Sequence, residues 1–512
     1  MTAPDSSAGL VVLVGAGPGP AGLLTRAGAR WLARAEVVVY DRLVDRSVLR
    51  LAPGSAERID VGKAPGGVGP DQQRINELLI ERARAGRCVV RLKGGDPLVF
   101  SRGGEEAEAL ARAGVPYRIV PGVTAALAAA AAAGIPLTDR RFASSVAFVA
   151  GHRPAGGEPR PIDWAALAGI ETVVFYMGLG KLGEISTRLI EAGRDPQTPS
   201  AVVTLPARGG PGTVVAPLEH LARAARRAGL RPPAVIIVGR VVSLRGRLAW
   251  MEKLPLFGQT VIVTRPARQA GELAERLEEL GAAVIVAPAI EVRPPADFAA
   301  VDSALRRLGQ FDLVVFTSPN GVAAFISRCR QLGLDGRALA GAKVAAIGPA
   351  TADVLRGQFI RPDIVPGTFT TEALVAAIRS SCDLAGRRVL LVRPEAVGES
   401  LRAALSSAGA AVEEVAFYRV ARPPRLDEKA AAALARRRVD WVTFTSSSAV
   451  ENFSQLLAEA AVRHGVEPDL RGVRLAAIGP VTAGTMRSLG LEPAVVAGEH
   501  SVEGLVRAMA GC

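Results

Sequence analysis

The chain has little with which to bind a metal or build a disulfide scaffold. Its four cysteines (Cys88, Cys329, Cys382, Cys512) and four histidines (His152, His220, His464, His500) are scattered through 512 residues, with no CxxC pair. That spacing predicts no disulfide framework, no thiolate or imidazole metal site, and a reducing compartment. Aromatic residues are also scarce, at 4% against 49% hydrophobic residues overall, because much of the apolar content is alanine. Long apolar runs are missing. The longest, Val123–Ala133, stops at Gly134 and Pro136. A bilayer span needs roughly 20 apolar residues, so this run predicts a buried helix. The first ten residues show no basic segment followed by an apolar stretch, so no export signal is expected. These absences predict a cytoplasmic location and no membrane partner.

What is abundant is positive charge, +13 in all. It fits either a polyanionic small molecule or arginines spread over solvated helix faces. The densest basic run is only Arg436–Arg438, and no long basic block is interleaved with aromatics, so no nucleic-acid partner is expected.

Short apolar runs alternate with Ala/Leu/Arg/Glu stretches throughout, the pattern of α/β domains, and the length predicts two to four of them. Strands are expected near 11–14, 37–40, 88–92, 146–150, 172–176, 201–204 and 234–238. Residues 244–258 read as a linker, and a new strand begins at Val261. The second half repeats itself. VIVTRP (261–266) returns as VLLVRP (389–394), ELGAAV (279–284) as SAGAAV (407–412), and FTSPNGVAAF (316–325) as FTSSSAVENF (444–453). AAIGPAT (345–351) returns as AAIGPVT (476–482). Joints fall at the prolines near Arg293–Pro295 and Arg422–Pro424. Two like α/β lobes with a cleft between them are expected, with the FTS and IGP turns at strand ends, where ligands bind in open α/β sheets.

Two glycine-rich strand exits mark the first half. VVLVGAGPG (Val11–Gly19) ends in a glycine turn, and CVVRL runs into RLKGGDP (91–97). Glycine lets a ligand approach backbone closely, and Asp96 offers an acceptor for a hydroxyl or amino group. GAGPG departs from the dinucleotide pattern G-x-G-x-x-G, and Pro20 removes a backbone donor. Taken alone, Asp41 in YDRLV reads as a turn residue and Lys63 in VGK as a solvated charge.

In company these segments resemble one family. VGAGPG, YDRLV, VGK, QQRINELL, RLKGGDPLVFSRGGEEAEAL, VPGVTAALAAAAAAGIPLT and VFYMGLG follow the order and spacing of uroporphyrinogen-III C-methyltransferases, over about residues 9–250. The resemblance implies S-adenosylmethionine held between two α/β lobes, with no metal. Pro18, Gly94, Gly95, Asp96, Val99, Thr124, Ala125, Met177 and Pro206 would line the methyl-donor site. Asp41 takes the place of the family's general base and Lys63 that of its proton donor. Three positions depart from the family: Pro20 for Asp, Asp139 for His, and TLPARG with Pro206 for ENGT.

The second half, about 258–510, resembles uroporphyrinogen-III synthase through VTRP, FTSPNGV, IGPAT, AFYRV, FTSSSAV and IGPVT. By that resemblance Tyr418 protonates the departing hydroxyl of hydroxymethylbilane. Ser318, Thr351, Ser446 and Thr482 would hold its carboxylates. Read without the family, Tyr418 is a strand-end tyrosine and the hydroxyls are turn caps.

The combined expectation is an α/β fusion: a two-lobed tetrapyrrole-methylase fold, then two flavodoxin-like lobes joined by a two-segment hinge. The expected boundaries are 9–122 and 123–250 for the methyltransferase lobes. For the synthase they are 258–293 plus 423–512 for one lobe and 296–418 for the other. Such a protein would make uroporphyrinogen III from hydroxymethylbilane and methylate it twice to precorrin-2, bound for sirohaem or cobalamin. It would act on small molecules, with a homodimer through the methyltransferase half. Two alternatives are a methylase of a later corrin precursor and a two-lobed small-molecule-binding protein.

Overall fold

The computed structural model describes residues 9–19, 21–62, 70–151, 161–204, 212–267, 269–395, 400–464 and 469–512. They form four five-stranded sheets, each with helices on both faces.

The first sheet has the order β3-β2-β4-β1-β5 and is parallel throughout. Its strands are β1 (Leu10–Gly15), β2 (Val37–Tyr40), β3 (Glu57–Asp60), β4 (Cys88–Lys93) and β5 (Tyr117–Val120). Val12, Val14, Val38 and Val90 pack on one face, and Val11, Leu13, Val37 and Val89 on the other. Burial on both faces explains the continuous valine runs. The polar strand ERID at β3 lies on the sheet edge, which is why its apolar signal is weak.

The second sheet is β6 (Val146–Ala150), β7 (Thr172–Tyr176), β10 (Ala234–Val238), β8 (Pro199–Thr204) and β9 (Thr213–Pro217), in that spatial order. β10 runs antiparallel to both neighbours. The alanine run becomes a helix only from Ala125, with Thr124 before it and Gly134 closing it in the left-handed region. Its small faces pack between the lobes against Val174, Tyr176 and Val203. Residues 244–258, expected as a linker, contain a helical turn (Arg245–Leu248), and Trp250 Nε1 donates to Ala131 O at 2.8 Å.

The synthase-like half has two sheets of matching order. One is β12 (Ala283–Val286), β11 (Thr260–Val263), β18 (Trp441–Phe444), β19 (Arg474–Ala477) and β20 (Val495–Val496). The other is β13 (Glu291–Arg293), β17 (Ala411–Ala421), β16 (Arg388–Pro394), β14 (Leu313–Phe316) and β15 (Lys343–Ala346). In repeat terms, β11 and β12 from the first copy sit beside β18 and β19 from the second. β14 and β15 sit beside β16 and β17. Each lobe therefore takes a pair of adjacent strands from each copy. One boundary differs from expectation. Glu291–Arg293, placed with the first lobe in the sequence, pairs antiparallel with Arg419–Ala421 in the second lobe's sheet.

Candidate functional site

At the carboxyl ends of β1 and β4, three glycine turns press backbone against backbone. Ala16 N donates to Lys93 O at 2.8 Å, and Gly17 and Gly95 exchange hydrogen bonds at 3.2 and 2.9 Å. A Cβ on Gly15 would lie 2.5 Å from Gly122 Cα, and one on Gly122 would lie 2.3 Å from Gly95 O. Gly17 and Gly95 have φ of 73° and 75°, the left-handed region that glycine adopts without strain. The glycines thus serve turn-on-turn packing at this strand exit.

Asp96 differs from its expected use. Its Oδ1 accepts from Leu98 N at 2.8 Å and its Oδ2 from Gly122 N at 2.9 Å. Both carboxylate oxygens are spent on backbone, so Asp96 shapes the turn. Gly94 lies under Leu43 of the YDRLV segment, which brings Asp41 to the same rim.

Asp41 is the outer end of a buried charge chain. Arg91 Nη2 donates to Asp41 Oδ1 at 2.6 Å, and Arg91 Nε to Glu106 Oε1 at 3.1 Å. Lys93 Nζ donates to the same Glu106 oxygen at 2.8 Å, and Gln72 Nε2 at 3.2 Å. Arg91 and Lys93 are 2% exposed, Glu106 0%, and Asp41 30%, so solvent reaches the chain at Asp41. Burial, and then the neighbouring Arg91 charge, pull the Lys93 ammonium below its ordinary value, while Glu106 opposes them. The sequence alone does not single out Arg91 or Lys93 for the site. Their alternation with apolar residues in RLK and the Glu106 of RGGEE were the available signals.

Tyr176, also missed, ties the lobes together. Its hydroxyl lies 2.8 Å from Thr124 Oγ1 and accepts from Ala126 N at 3.1 Å. Its ring lies 4.9 Å from that of Phe100. Phe100 and Met177 both have φ of 54°, a costly backbone for these residues. Met177, Leu98 and Leu43 stay exposed at 54%, 57% and 50%, and Leu43 packs against the Gly94 turn. Val99 and Ala125 pack against the lobe-joining core, and Pro18 sits on the first turn. Asp139 is held by Arg141 at 3.0 Å, which keeps its carboxyl below the usual range. Lys63, Pro206 and Pro20 lie outside the described residues.

In the second half, a cavity of about 910 Å³ separates the two lobes, a size suited to a small-molecule site. Tyr418 lines it, 4% exposed, with its hydroxyl 2.8 Å from Ser318 Oγ. Burial raises the Tyr418 phenol, keeping it protonated, with Ser318 and Arg393 opposing. Ser318 and Ser446 occupy matching helix starts, accepting from Gly321 N at 3.0 Å and Ala449 N at 3.2 Å. Thr351 and Thr482 sit in the first turns of matching helices, 2% and 3% exposed. None of these four hydroxyl residues is part of the cavity wall, so only Tyr418 among the expected synthase residues faces it. Across the cavity, Gln269 Nε2 donates to Asn320 Oδ1 at 2.7 Å, joining lobe to lobe. Among the described residues no acidic, histidine and cysteine cluster suits a metal, and no helix is long and apolar enough to cross a membrane.

Known proteins match both halves. Residues 10–207 match the family described as tetrapyrrole (corrin/porphyrin) methylases, and residues 271–507 match uroporphyrinogen-III synthase HemD. The porphyrin biosynthesis protein HemD of Ruminiclostridium josui is 36% identical over 87% of this chain and 88% of its own length. The uroporphyrinogen-III C-methyltransferase of Bacillus subtilis is 37% identical over 70% of this chain and 74% of its own. Siroheme synthase 1 of Klebsiella pneumoniae is 47% identical over 49% of this chain, which spans about half (52%) of that relative. A Thermus thermophilus uroporphyrin-III C-methyl transferase, crystallised with S-adenyl homocysteine, is 45% identical over 46% of this chain and all of that one, with a TM-score of 0.40. With relatives of both kinds aligned along its length, the chain belongs to the family of porphyrin-biosynthesis enzymes, as a tetrapyrrole methylase fused to a uroporphyrinogen-III synthase.

Proposed function

We propose that the second half closes hydroxymethylbilane to uroporphyrinogen III with inversion of the last ring, and that the first half methylates that product twice to precorrin-2. The observation that carries the methylation reading is Asp41, held at 2.6 Å by Arg91 beside the Gly94–Gly95 turn.

The residues present fit S-adenosylmethionine. Exposed Leu98 and Met177 offer apolar contact, and the glycine turns offer backbone at close range. When bound, the sulfonium supplies an electrophilic methyl group. Its transfer from sulfur to a pyrrole β-carbon would leave the ring as a cation with a proton to lose. Asp41 takes it. Arg91 occupies Oδ1, so Oδ2 is the atom that receives the proton, and the buried Glu106 holds Arg91 in place. General base catalysis of this kind is worth about 10²–10⁴-fold.

In the second half, Tyr418 donates a proton to the departing hydroxyl, and closure follows from proximity inside the cleft. The remaining parts of the reading are a cytoplasmic location, small polycarboxylate substrates, and a homodimer through the methyltransferase half. Edge strand β5, with Tyr117 and Ile119 40% and 38% exposed, supports the last.

Incubation with hydroxymethylbilane, with and without S-adenosylmethionine, tests the assignment. Type III uroporphyrinogen without the donor, and the precorrin-2 absorbance with it, are expected. Neither product in a folded protein overturns it. A later corrin precursor methylated in preference to uroporphyrinogen III would instead favour the corrin-methylase alternative.

A further inference from the structure

The cavity between the synthase lobes is not walled by the synthase half alone. Arg46, from the methyltransferase half, lines it. It opens a short helix, Arg46–Leu49, and Arg46 Nη1 lies 3.4 Å from Asp427 Oδ2 on the opposite half. The neighbouring Asp45 and Arg50 lie within electrostatic reach of Glu278 on the synthase helix Ala270–Glu279. The methyltransferase segment is therefore seated on the first synthase lobe, with Arg46 at the cavity.

Four arginines line this cavity, and they are not equivalent. Arg328 is locked on Asp302 by two bonds, 2.7 and 2.6 Å. Arg293 is locked on Glu291 by bonds of 2.9 and 2.6 Å. Arg425 and Arg46 each hold a carboxylate by one long contact of 3.4 Å. Asp427, the partner of Arg46, does not depend on that contact. Its Oδ1 already caps the following helix, accepting from Lys429 N at 2.9 Å and Ala430 N at 3.2 Å. Arg46 is mostly exposed, so its guanidinium can turn to another carboxylate and leave Asp427 satisfied.

Resting on the synthase reading above, we propose that Arg46 is a carboxylate-binding residue of the synthase cleft, so that the methyltransferase half completes the site of its neighbour. The ligand class is a polycarboxylate, which meets a cation free to exchange partners at the mouth of the cavity. The same short helix reaches the other active site: Ser47 Oγ accepts from Ala21 N at 3.0 Å, just beyond the GAGPG turn. Adjacent residues thus touch the rim of each site, and a carboxylate leaving the cleft past Arg46 is already at the methyltransferase surface.

The test uses the full chain. Synthase kinetics with hydroxymethylbilane are measured for wild type, Arg46→Ala, Arg46→Glu and Asp427→Asn, with melting curves for each. KM is expected to rise roughly three- to ten-fold in Arg46→Ala and further in Arg46→Glu, with kcat nearly unchanged, the size of one charge-assisted contact. Asp427→Asn keeps a capping side chain and releases Arg46, so its KM is expected to stay level or fall. Unchanged KM in both Arg46 variants overturns the proposal. So does an equal rise in Arg46→Ala and Asp427→Asn, which would make the pair a simple contact between halves. A wild-type protein without synthase activity would instead remove the synthase reading itself.

Discussion

Tyr418 and Ser318 share a hydrogen bond of 2.8 Å, and Ser318 Oγ also accepts the backbone N–H of Gly321. With that N–H on its lone pair, Ser318 can give its own hydrogen to the Tyr418 oxygen. The phenol hydrogen is then free to point into the cavity. Tyr418→Phe should slow formation of the type III isomer and raise the share of the spontaneously formed type I isomer, with the melting temperature nearly intact. Ser318→Ala should do the same and also lose a helix cap, worth about 0.5–2 kcal/mol. Chromatographic isomer analysis with melting curves separates the two. A wild-type isomer ratio in Tyr418→Phe would make it a packing residue.

Asp41→Asn keeps the shape of the side chain and removes the proposed base. Methylation turnover should fall about 10²–10⁴-fold while donor affinity stays level, as read by single-turnover kinetics and calorimetry. A loss below about threefold would place the base elsewhere. Glu106→Gln acts differently, because it takes the carboxylate from buried Lys93 and leaves Arg91 with Asp41 alone. Breaking a buried pair costs about 3–5 kcal/mol, so this variant should melt early whatever its turnover.

Because Asp96 holds two backbone N–H groups, Asp96→Ala should weaken both methyl-donor binding and the fold. Each of these bonds is at or near the surface, so each is worth about 0.5–1.5 kcal/mol. Asp96→Asn keeps an acceptor and should recover part of both. If donor affinity measured by calorimetry is unchanged in Asp96→Ala, the turn is not part of the donor site.

Glu278 gives the chain a pH-sensitive contact between halves. Burial first, then the Asp45 charge, push its carboxyl up to about 7, with Glu275 adding and Arg50 opposing. A raised acid keeps its proton in the folded state, so stability is highest at low pH and is lost as pH rises from the ordinary carboxylate range through about 7. Glu278→Gln should therefore match wild type at pH 5 and melt higher at pH 8. An equal difference at both values would show that Glu278 does not titrate in this window.

Much of this fold was legible from valine runs and repeated turns. β1 and β2 are buried on both faces, so their sequences carry an unbroken apolar signal, and β4 carries it as far as Val90. β3 and β9 lie on edges, where that signal thins. Glu291–Arg293 was misplaced because three residues before a proline pair say nothing of which sheet they join. The Asp41 site was visible through the family motif, but its support was not. Arg91, Lys93 and Glu106 meet only when β4 and the helix Gly103–Arg112 pack together. In sequence, such residues look like surface charge. The cavity wall was hidden for the same reason, since Arg46 and Asp427 are separated by 381 positions.

The two passages of chain between the synthase lobes are hydrogen-bonded to each other, Glu291–Arg293 against Arg419–Ala421. A single connecting strand lets one lobe swivel freely about the other. A zipped pair behaves as a ribbon: it bends across its flat face and resists twisting along its length. The lobes then part like the covers of a book, with Gln269 and Asn320 as the clasp and the spine fixed beside Tyr418. On the reading proposed above, a long, flexible tetrapyrrole in such a book would be folded as it closes, with its reactive ends brought to the spine beside Tyr418.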